Sequence, residues 1–273
     1  MTEIEEQLRY RVEDGVAWII LNRPQAGNAI TPDQRNRLIA LFESASGDVA
    51  IRVIVLGAEG RHFCTGADLR ADRADGPAGP EGAPERPTGS VARMIAMGAQ
   101  RLVAAVLDCE KPVIAAVGGT AAGIGAHLAL ASDLVIASED ARFIEVFVRR
   151  GIIPDGGGAY LLPRLVGLHL AKELVFFGDD LSAADAARIG LVNKVVPAAE
   201  LDAAVLEWAQ RLASGPTVAI GLAKRLLNRS SESDRLTAFA EEAAAQELAM
   251  TSHDAQEGVA SFVERRPTEF KGW

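Results

Sequence analysis

The chain is poor in residues that hold metals or staple secreted folds. Its 273 residues include only two cysteines, Cys64 and Cys109, and four histidines. The cysteines lack metal-ligand spacing, so no metal site is expected, and free thiols in a reducing cytoplasm are the simplest expectation. Positive charge is also short. Lys and Arg number 28 against 37 Asp and Glu, for a net charge of -9. That balance argues against nucleic acid as a bulk partner, although a local basic patch could still meet an anionic ligand. No uninterrupted apolar run reaches the length of a bilayer span, so no membrane partner is expected. The opening Met1-Thr2-Glu3-Ile4-Glu5-Glu6 is acidic and has no apolar core, unlike a secretory signal. No dinucleotide fingerprint follows the first strand, and the glycines from Gly119 to Gly125 are spaced wrongly for it and for a Walker loop.

What remains is a chain with 49% hydrophobic residues, long for one core but consistent with one compact unit plus an appendage. Leu8 to Asn22 reads as two strands around a turn at Glu13-Asp14-Gly15. Thr31-Pro32-Asp33 is a helix start, with Thr31 as N-cap. Leu38, Ile39, Leu41 and Phe42 give that helix its apolar face. Val53-Ile54-Val55-Leu56, Pro112 to Val117 and Leu134 to Ala137 read as strands; Val91 to Leu107 and Ile124 to Ala131 read as helices. The Gly- and Pro-rich stretch from Asp72 to Ser90 is expected to be a mobile loop. From Leu201 onward the composition turns helical and Ala-rich, and this segment is expected to pack on the core and on neighbouring chains.

Two glycine-rich segments carry the chemistry. The first is Arg61-His62-Phe63-Cys64-Thr65-Gly66-Ala67-Asp68-Leu69. The second is Gly119-Thr120-Ala121-Ala122-Gly123-Ile124-Gly125-Ala126-His127. Each joins a strand-like run to a helical pattern through small residues that let backbone N–H groups approach a ligand. Two N–H groups aimed at one point can polarise a carbonyl and stabilise an enolate.

This order of segments, followed by Gly151-Ile152-Ile153-Pro154-Asp155-Gly156-Gly157-Gly158 and Gly190-Leu191-Val192, resembles the crotonase (enoyl-CoA hydratase/isomerase) superfamily along nearly the whole chain. The resemblance implies a crotonase-like α/β spiral of β-β-α repeats over residues 1–200, with a helical C-terminal trimerisation region over 201–273. It implies an acyl-CoA thioester substrate, a homo-oligomer (trimer or dimer of trimers), and no cofactor beyond the coenzyme A of the substrate. The oxyanion hole would be the N–H groups of Ala67 and Ile124. Thr65, Gly66, Asp68, Leu69, Gly123 and Phe147 would line the ligand. Arg23 and Ala29 match the segment beside the CoA nucleotide, and Phe270-Lys271 matches an element that reaches adenine and phosphates, often across a subunit boundary.

The departures from that family are specific. Its hydratases place water across a double bond with two glutamates, and the matching positions here hold His127 and Phe147. Phe147 cannot exchange protons. His127 could, or its ring could simply pack beneath the acyl site. Glu145 would share a face with Phe147 if both lay in one strand. Asp155 matches a position at which dienoyl-CoA isomerases, chlorobenzoyl-CoA dehalogenases and the ring-opening isomerases of phenylacetate degradation carry an aspartate that acts as base or nucleophile. The stretch Ile153 to Gly167 looks most like the last group. Asp155 could equally be the N-cap of the helix that follows. Three functions stay open: an enoyl-CoA isomerase using Asp155, an enoyl-CoA hydratase, and a non-catalytic acyl-CoA-binding protein.

Overall fold

The central strands are buried along nearly their whole length because helices cover both faces of the sheet to which their successive side chains point. The structure, a computed structural model, describes residues 2–70, 80, 82 and 87–273. Most of the expected Asp72 to Ser90 loop therefore lies outside the described residues. The strands are β1 (Leu8–Glu13), β2 (Val16–Leu21), β3 (Val53–Ala58), β4 (Val113–Val117), β5 (Thr120–Ala122), β6 (Leu134–Ser138), β7 (Arg142–Ile144), β8 (Asp180–Ser182) and β9 (Lys194–Val196). The helices are α1 (Glu3–Gln7), α2 (Pro32–Gly47), α3 (Ser90–Ile95), α4 (Arg101–Leu107), α5 (Ile124–Ala131), α6 (Gly158–Val166), α7 (Leu168–Phe177), α8 (Ala183–Arg188), α9 (Leu201–Ala213), α10 (Thr217–Arg229), α11 (Arg235–Met250) and α12 (His253–Glu264).

A six-stranded sheet runs in the order β1-β2-β3-β4-β6-β9, and a three-stranded sheet runs β5-β7-β8. Only β1 is antiparallel to its neighbour in the larger sheet. Between them, β4-β5-α5 and β6-β7-α6 each send one strand to the large sheet, one to the small sheet, and then a helix. This is the expected β-β-α spiral. On the large sheet, Ile54 and Leu56 face a core shared with Leu38 and Phe42 of α2, Leu102 and Val106 of α4, and Leu128 of α5. Val53 and Val55 face the other way, onto Val205 and Ala209 of α9. Each such aliphatic side chain contributes about 1.5–3 kcal/mol on full burial.

Local signals behave as expected at several points. Thr31 caps α2, accepting from Gln34 N at 3.2 Å, and the Gln34 side chain returns the bond to Thr31 N at 3.1 Å. The expected helix over Val91 to Leu107 is broken by a π-helical turn at Ala96–Gln100 between α3 and α4. By length and composition alone Ser90–Leu107 is long and apolar enough to cross a membrane, but it is not an uninterrupted apolar run. Here Leu102, Val103 and Val106 are buried in the core, and Arg93 and Arg101 interrupt the apolar run. Helix α10 is pinned to the core by buried Lys224, which donates to the carbonyls of Val106 (3.0 Å) and Lys111 (3.2 Å) and pairs with Asp133 at 2.8 Å.

Candidate active site

Strand β3 ends at Ala58, and the chain turns back over the sheet through Arg61 to Leu69. Cys64 forms a parallel bridge to Ala121, and Ile30 forms one to Ala67. The ladder around Ala67 fixes what its own N–H can do. Ile30 N donates to the Gly66 carbonyl and Asp68 N to the Ile30 carbonyl, both at 2.9 Å. The Ala67 N–H is thereby turned to the opposite side, and it donates to no described residue. Gly66, at φ +120°, makes the turn.

The second donor arises from helix geometry. Gly123 is the N-cap of α5, and Ile124 is its first residue. A first-turn N–H has no acceptor inside its own helix, and that of Ile124 donates to no described residue. Two glycines bring the segments together. A Cβ on Gly125 would overlap the Cys64 carbonyl, and one on Gly119 would overlap the Arg61 carbonyl. The backbone of the second segment therefore lies directly on that of the first. Cys64 N donates to the Thr120 carbonyl at 3.0 Å, and Ala122 N to the Cys64 carbonyl at 2.8 Å. Cys64 itself is no nucleophile: complete burial pushes its thiol up to about 12.

All eight residues of α5 are buried, so its one polar side chain needs a partner inside the protein. His127 finds Glu145: Nε2 lies 3.1 Å from Glu145 Oε2, with the histidine side chain 0% and the glutamate 5% exposed. Phe147 stacks on the imidazole with ring centroids 5.2 Å apart and planes 12° from parallel. Glu145 does not reach this position as a strand neighbour of Phe147, because β7 stops at Ile144 and Phe147 opens a 3-10 turn over Val148–Arg150. The bend swings both side chains onto His127.

Asp155 lies directly before the glycines that cross this ring. The helix it precedes begins at Gly158 with Gly157 as N-cap and no side-chain cap. The N-cap reading of Asp155 is thus corrected: three glycines let the turn close through positive φ at Gly157 instead. The Asp155 side chain is half-buried and makes no hydrogen bond or ion pair with a described residue. The turn rests on the second oxyanion segment, since a methyl at Gly156 would come within 2.6 Å of Ile124 Cδ1.

The nucleotide-side candidates divide. Arg23 is not a free cation for a phosphate. Its guanidinium pairs with Asp68 at 3.0 Å and donates to the Ala29 carbonyl at 2.9 Å. Asp68 also accepts from Arg70 N at 3.0 Å. These residues tie the first oxyanion segment to the Asn22–Ile30 loop. Thr65 donates with both N and Oγ1 to the Gly27 carbonyl, so its hydroxyl also braces the loop. Leu69 is 69% exposed and free to meet a ligand. Phe270 and Lys271 sit elsewhere in this chain. Lys271 N and Gly272 N donate to the Asp254 carboxylate, each at 2.7 Å, and Arg52 donates to the Phe270 carbonyl at 3.3 Å. Arg52 precedes β3, at the opposite end of that strand from the oxyanion segments, so one chain does not bring these two residues to them.

One organising residue escaped the sequence reading. Asn28 is buried, has φ +55°, and donates through Nδ2 to the carbonyls of Glu59 (2.9 Å) and His62 (2.6 Å). An Asn after a glycine is the available signal, because Asn tolerates the left-handed region.

The Enoyl-CoA hydratase/isomerase family profile matches residues 11–273. The chain belongs to the enoyl-CoA hydratase/isomerase family. It is 37% identical to the 1,2-epoxyphenylacetyl-CoA isomerase of Escherichia coli over 265 residues, covering 96% of this chain and 97% of that one. It is 35% identical to the short-chain-enoyl-CoA hydratase of Clostridium acetobutylicum over 258 residues, covering 94% of each. The crystal structure of an enoyl-CoA hydratase/isomerase from Cupriavidus metallidurans superposes with a TM-score of 0.86 at 35% identity, covering 98% of this chain and 97% of that one. Members of the enoyl-CoA hydratase/isomerase family named for either reaction thus match over nearly full length. The protein is an acyl-CoA enzyme of this family.

Proposed function

We propose that the protein is an enoyl-CoA isomerase in which Asp155 moves the proton. The observation that carries this reading is the Asp155 carboxylate, unengaged by any described residue on a turn seated against Ile124. The thioester carbonyl oxygen would lie between the N–H groups of Ala67 and Ile124. Asp155 takes a proton from C2 of a 3-enoyl thioester, the C2–H electron pair moves toward the carbonyl, and the two N–H groups meet the enolate charge. The proton returns at C4 as the double bond shifts to C2–C3. Adding water needs one group to deprotonate it and another to protonate C2. Phe147 supplies neither function, and His127 is sealed against Glu145, which disfavours the hydratase reading. A binder without chemistry would have no use for the carboxylate.

The same reading includes a homotrimer or dimer of trimers in the cytoplasm. It is supported by large apolar side chains exposed on the C-terminal helices, including Phe239 at 61% and Phe262 at 84%. In such an assembly Phe270 and Lys271 would serve the nucleotide end of a neighbouring chain's ligand. The functional test is Asp155→Asn, assayed with hex-3-enoyl-CoA in deuterated buffer by mass spectrometry. Isomerisation and deuterium uptake should fall by about 10²–10⁴-fold, the usual contribution of a general base, while the thioester still binds. A mass gain of one water in the parent, or a fully active Asp155→Asn, would overturn the isomerase reading.

A further inference from the structure

The hydrogen-bond pattern of His127 is lopsided. Nε2 faces Glu145 Oε2 at 3.1 Å, whereas Nδ1 is buried with no partner among the described residues. An orphaned buried N–H is rarer and costlier than an orphaned lone pair. That asymmetry selects one tautomer: the proton on Nε2, donated to Glu145, and a bare lone pair on Nδ1. The ring is also the bed of the Asp155 turn. A methyl group at Gly156 would come within 3.1 Å of Nδ1, and one at Gly158 would overlap Nε2. Only glycine fits at 156 and 158 beside the ring, and Phe147 closes one ring face. The ring therefore has a fixed plane, a fixed tautomer and a turn resting on its edge.

We propose that Glu145 is a positioning residue. By accepting a hydrogen bond from Nε2–H it locks the His127 ring, and the locked ring sets how the Gly156–Gly158 turn, and with it Asp155, sits against Ile124. This inference rests on the isomerase reading for the role of Asp155, but its structural half stands apart from it. Removing Glu145 leaves both imidazole nitrogens without a partner, frees the ring to change tautomer or tilt, and lets the turn settle elsewhere. A misplacement of about 1 Å at a reacting group costs on the order of 10²-fold in rate.

The experiment compares the parent, Glu145→Gln, Glu145→Ala and Asp155→Asn, each as the full chain. Long-range proton–nitrogen NMR of ¹⁵N-labelled histidine, assigned with His127→Asn, reads the tautomer. Amide resonances of Gly156 to Gly158 read the turn, and hex-3-enoyl-CoA reads kcat and KM. In the parent, His127 should show a protonated, slowly exchanging Nε2 and an unprotonated Nδ1. Glu145→Ala should lose that signature, move the glycine amides and lower kcat by about tenfold or more, with KM within about twofold. Glu145→Gln keeps an acceptor oxygen and should retain the tautomer and lose less activity than the alanine variant. A parent ring protonated on Nδ1 overturns the proposal. So does Glu145→Ala with unmoved glycine amides or parental kcat. If Glu145→Ala does not fold, the parent tautomer and the Glu145→Gln comparison still decide it. Full activity of Asp155→Asn would overturn the isomerase reading alone, and the tautomer and amide shifts would still show whether Glu145 sets the turn.

Discussion

Gly125→Ala is the smallest change that attacks the proposed oxyanion hole without touching a side chain of the site. The added Cβ would lie 2.6 Å from Cys64 Cβ and overlap the Cys64 carbonyl, where an ordinary carbon contact is about 3.5–4.0 Å. Helix α5 must therefore withdraw by about 1 Å, since neither obstacle is the far end of a flexible chain. Overpacking of this kind costs about 1–3 kcal/mol, and the upper part of that range applies because backbone is struck. Replacing glycine within a helix returns about 0.8–1 kcal/mol. The net loss is about 2 kcal/mol, or roughly 4–8 °C in Tm for a chain of this size. The effect on catalysis should be larger. Ile124 directly precedes Gly125, so its N–H moves with the helix, away from its place in the proposed oxyanion hole. Losing one such donor costs about 10²–10³-fold in kcat. Urea or thermal unfolding measures the first number and turnover of hex-3-enoyl-CoA the second. Gly47→Ala at the end of α2, where nothing lies within 4 Å, is the control and should be neutral or slightly stabilising. A Gly125→Ala variant with parental Tm and parental kcat would refute the claim that this contact sets the hole.

Other outcomes follow from features away from the hole. Burial raises Asp133 above the ordinary carboxylate range, and Lys224 opposes that rise. Lys224→Met removes the opposing charge and should destabilise by about 3–5 kcal/mol near neutral pH. An acid whose pKa is higher folded than unfolded binds its proton more tightly in the folded state, so this deficit should shrink as pH falls toward the acid range; a deficit that grows in acid contradicts the assignment. Both cysteines are free and buried, and burial holds both thiols above their ordinary range. A thiol reagent at pH 8 should therefore label neither until denaturant is added, and prompt labelling of the native protein would show the core to be open. Light scattering at micromolar concentration should report a trimer or a multiple of it, with Phe262→Asp weakening the assembly. A stable monomer would remove the proposed role of the C-terminal helices.

Much of this architecture is legible in the sequence, and the limits are physical. The hairpin at Asp14-Gly15, the Thr31 cap and the strand runs are encoded within a few residues of themselves, and each was readable. The two glycine-rich segments whose Ala67 and Ile124 N–H groups have no described acceptor were also readable, because small residues flank each group in sequence. The π-turn at Ala96–Gln100 has no local signature. The three-residue strands β5, β7, β8 and β9 are too short to show alternation. The role of Glu145 was hidden because the bend after Ile144, rather than a strand register, turns it onto His127. Asp155 looked like a cap because aspartate before a helix usually is one, but the glycines following it complete the turn by themselves. Arg23 looked available for phosphate until its pairing with Asp68, far along the chain, came into view.

The two donors proposed for the oxyanion hole are main-chain atoms, and that has a consequence for how such a protein changes over generations. Exchange of the Ala67 or Ile124 side chain leaves the N–H in place, and proline is the single replacement that deletes it outright. The groups that move protons are side chains, and each can be lost or gained in one step. The device that tolerates a thioester enolate is thus inherited almost passively, while the choice of reaction is exposed to every substitution at positions such as 127, 145, 147 and 155. A lineage built on this plan can abandon one chemistry and try another without first dismantling its means of holding the charge.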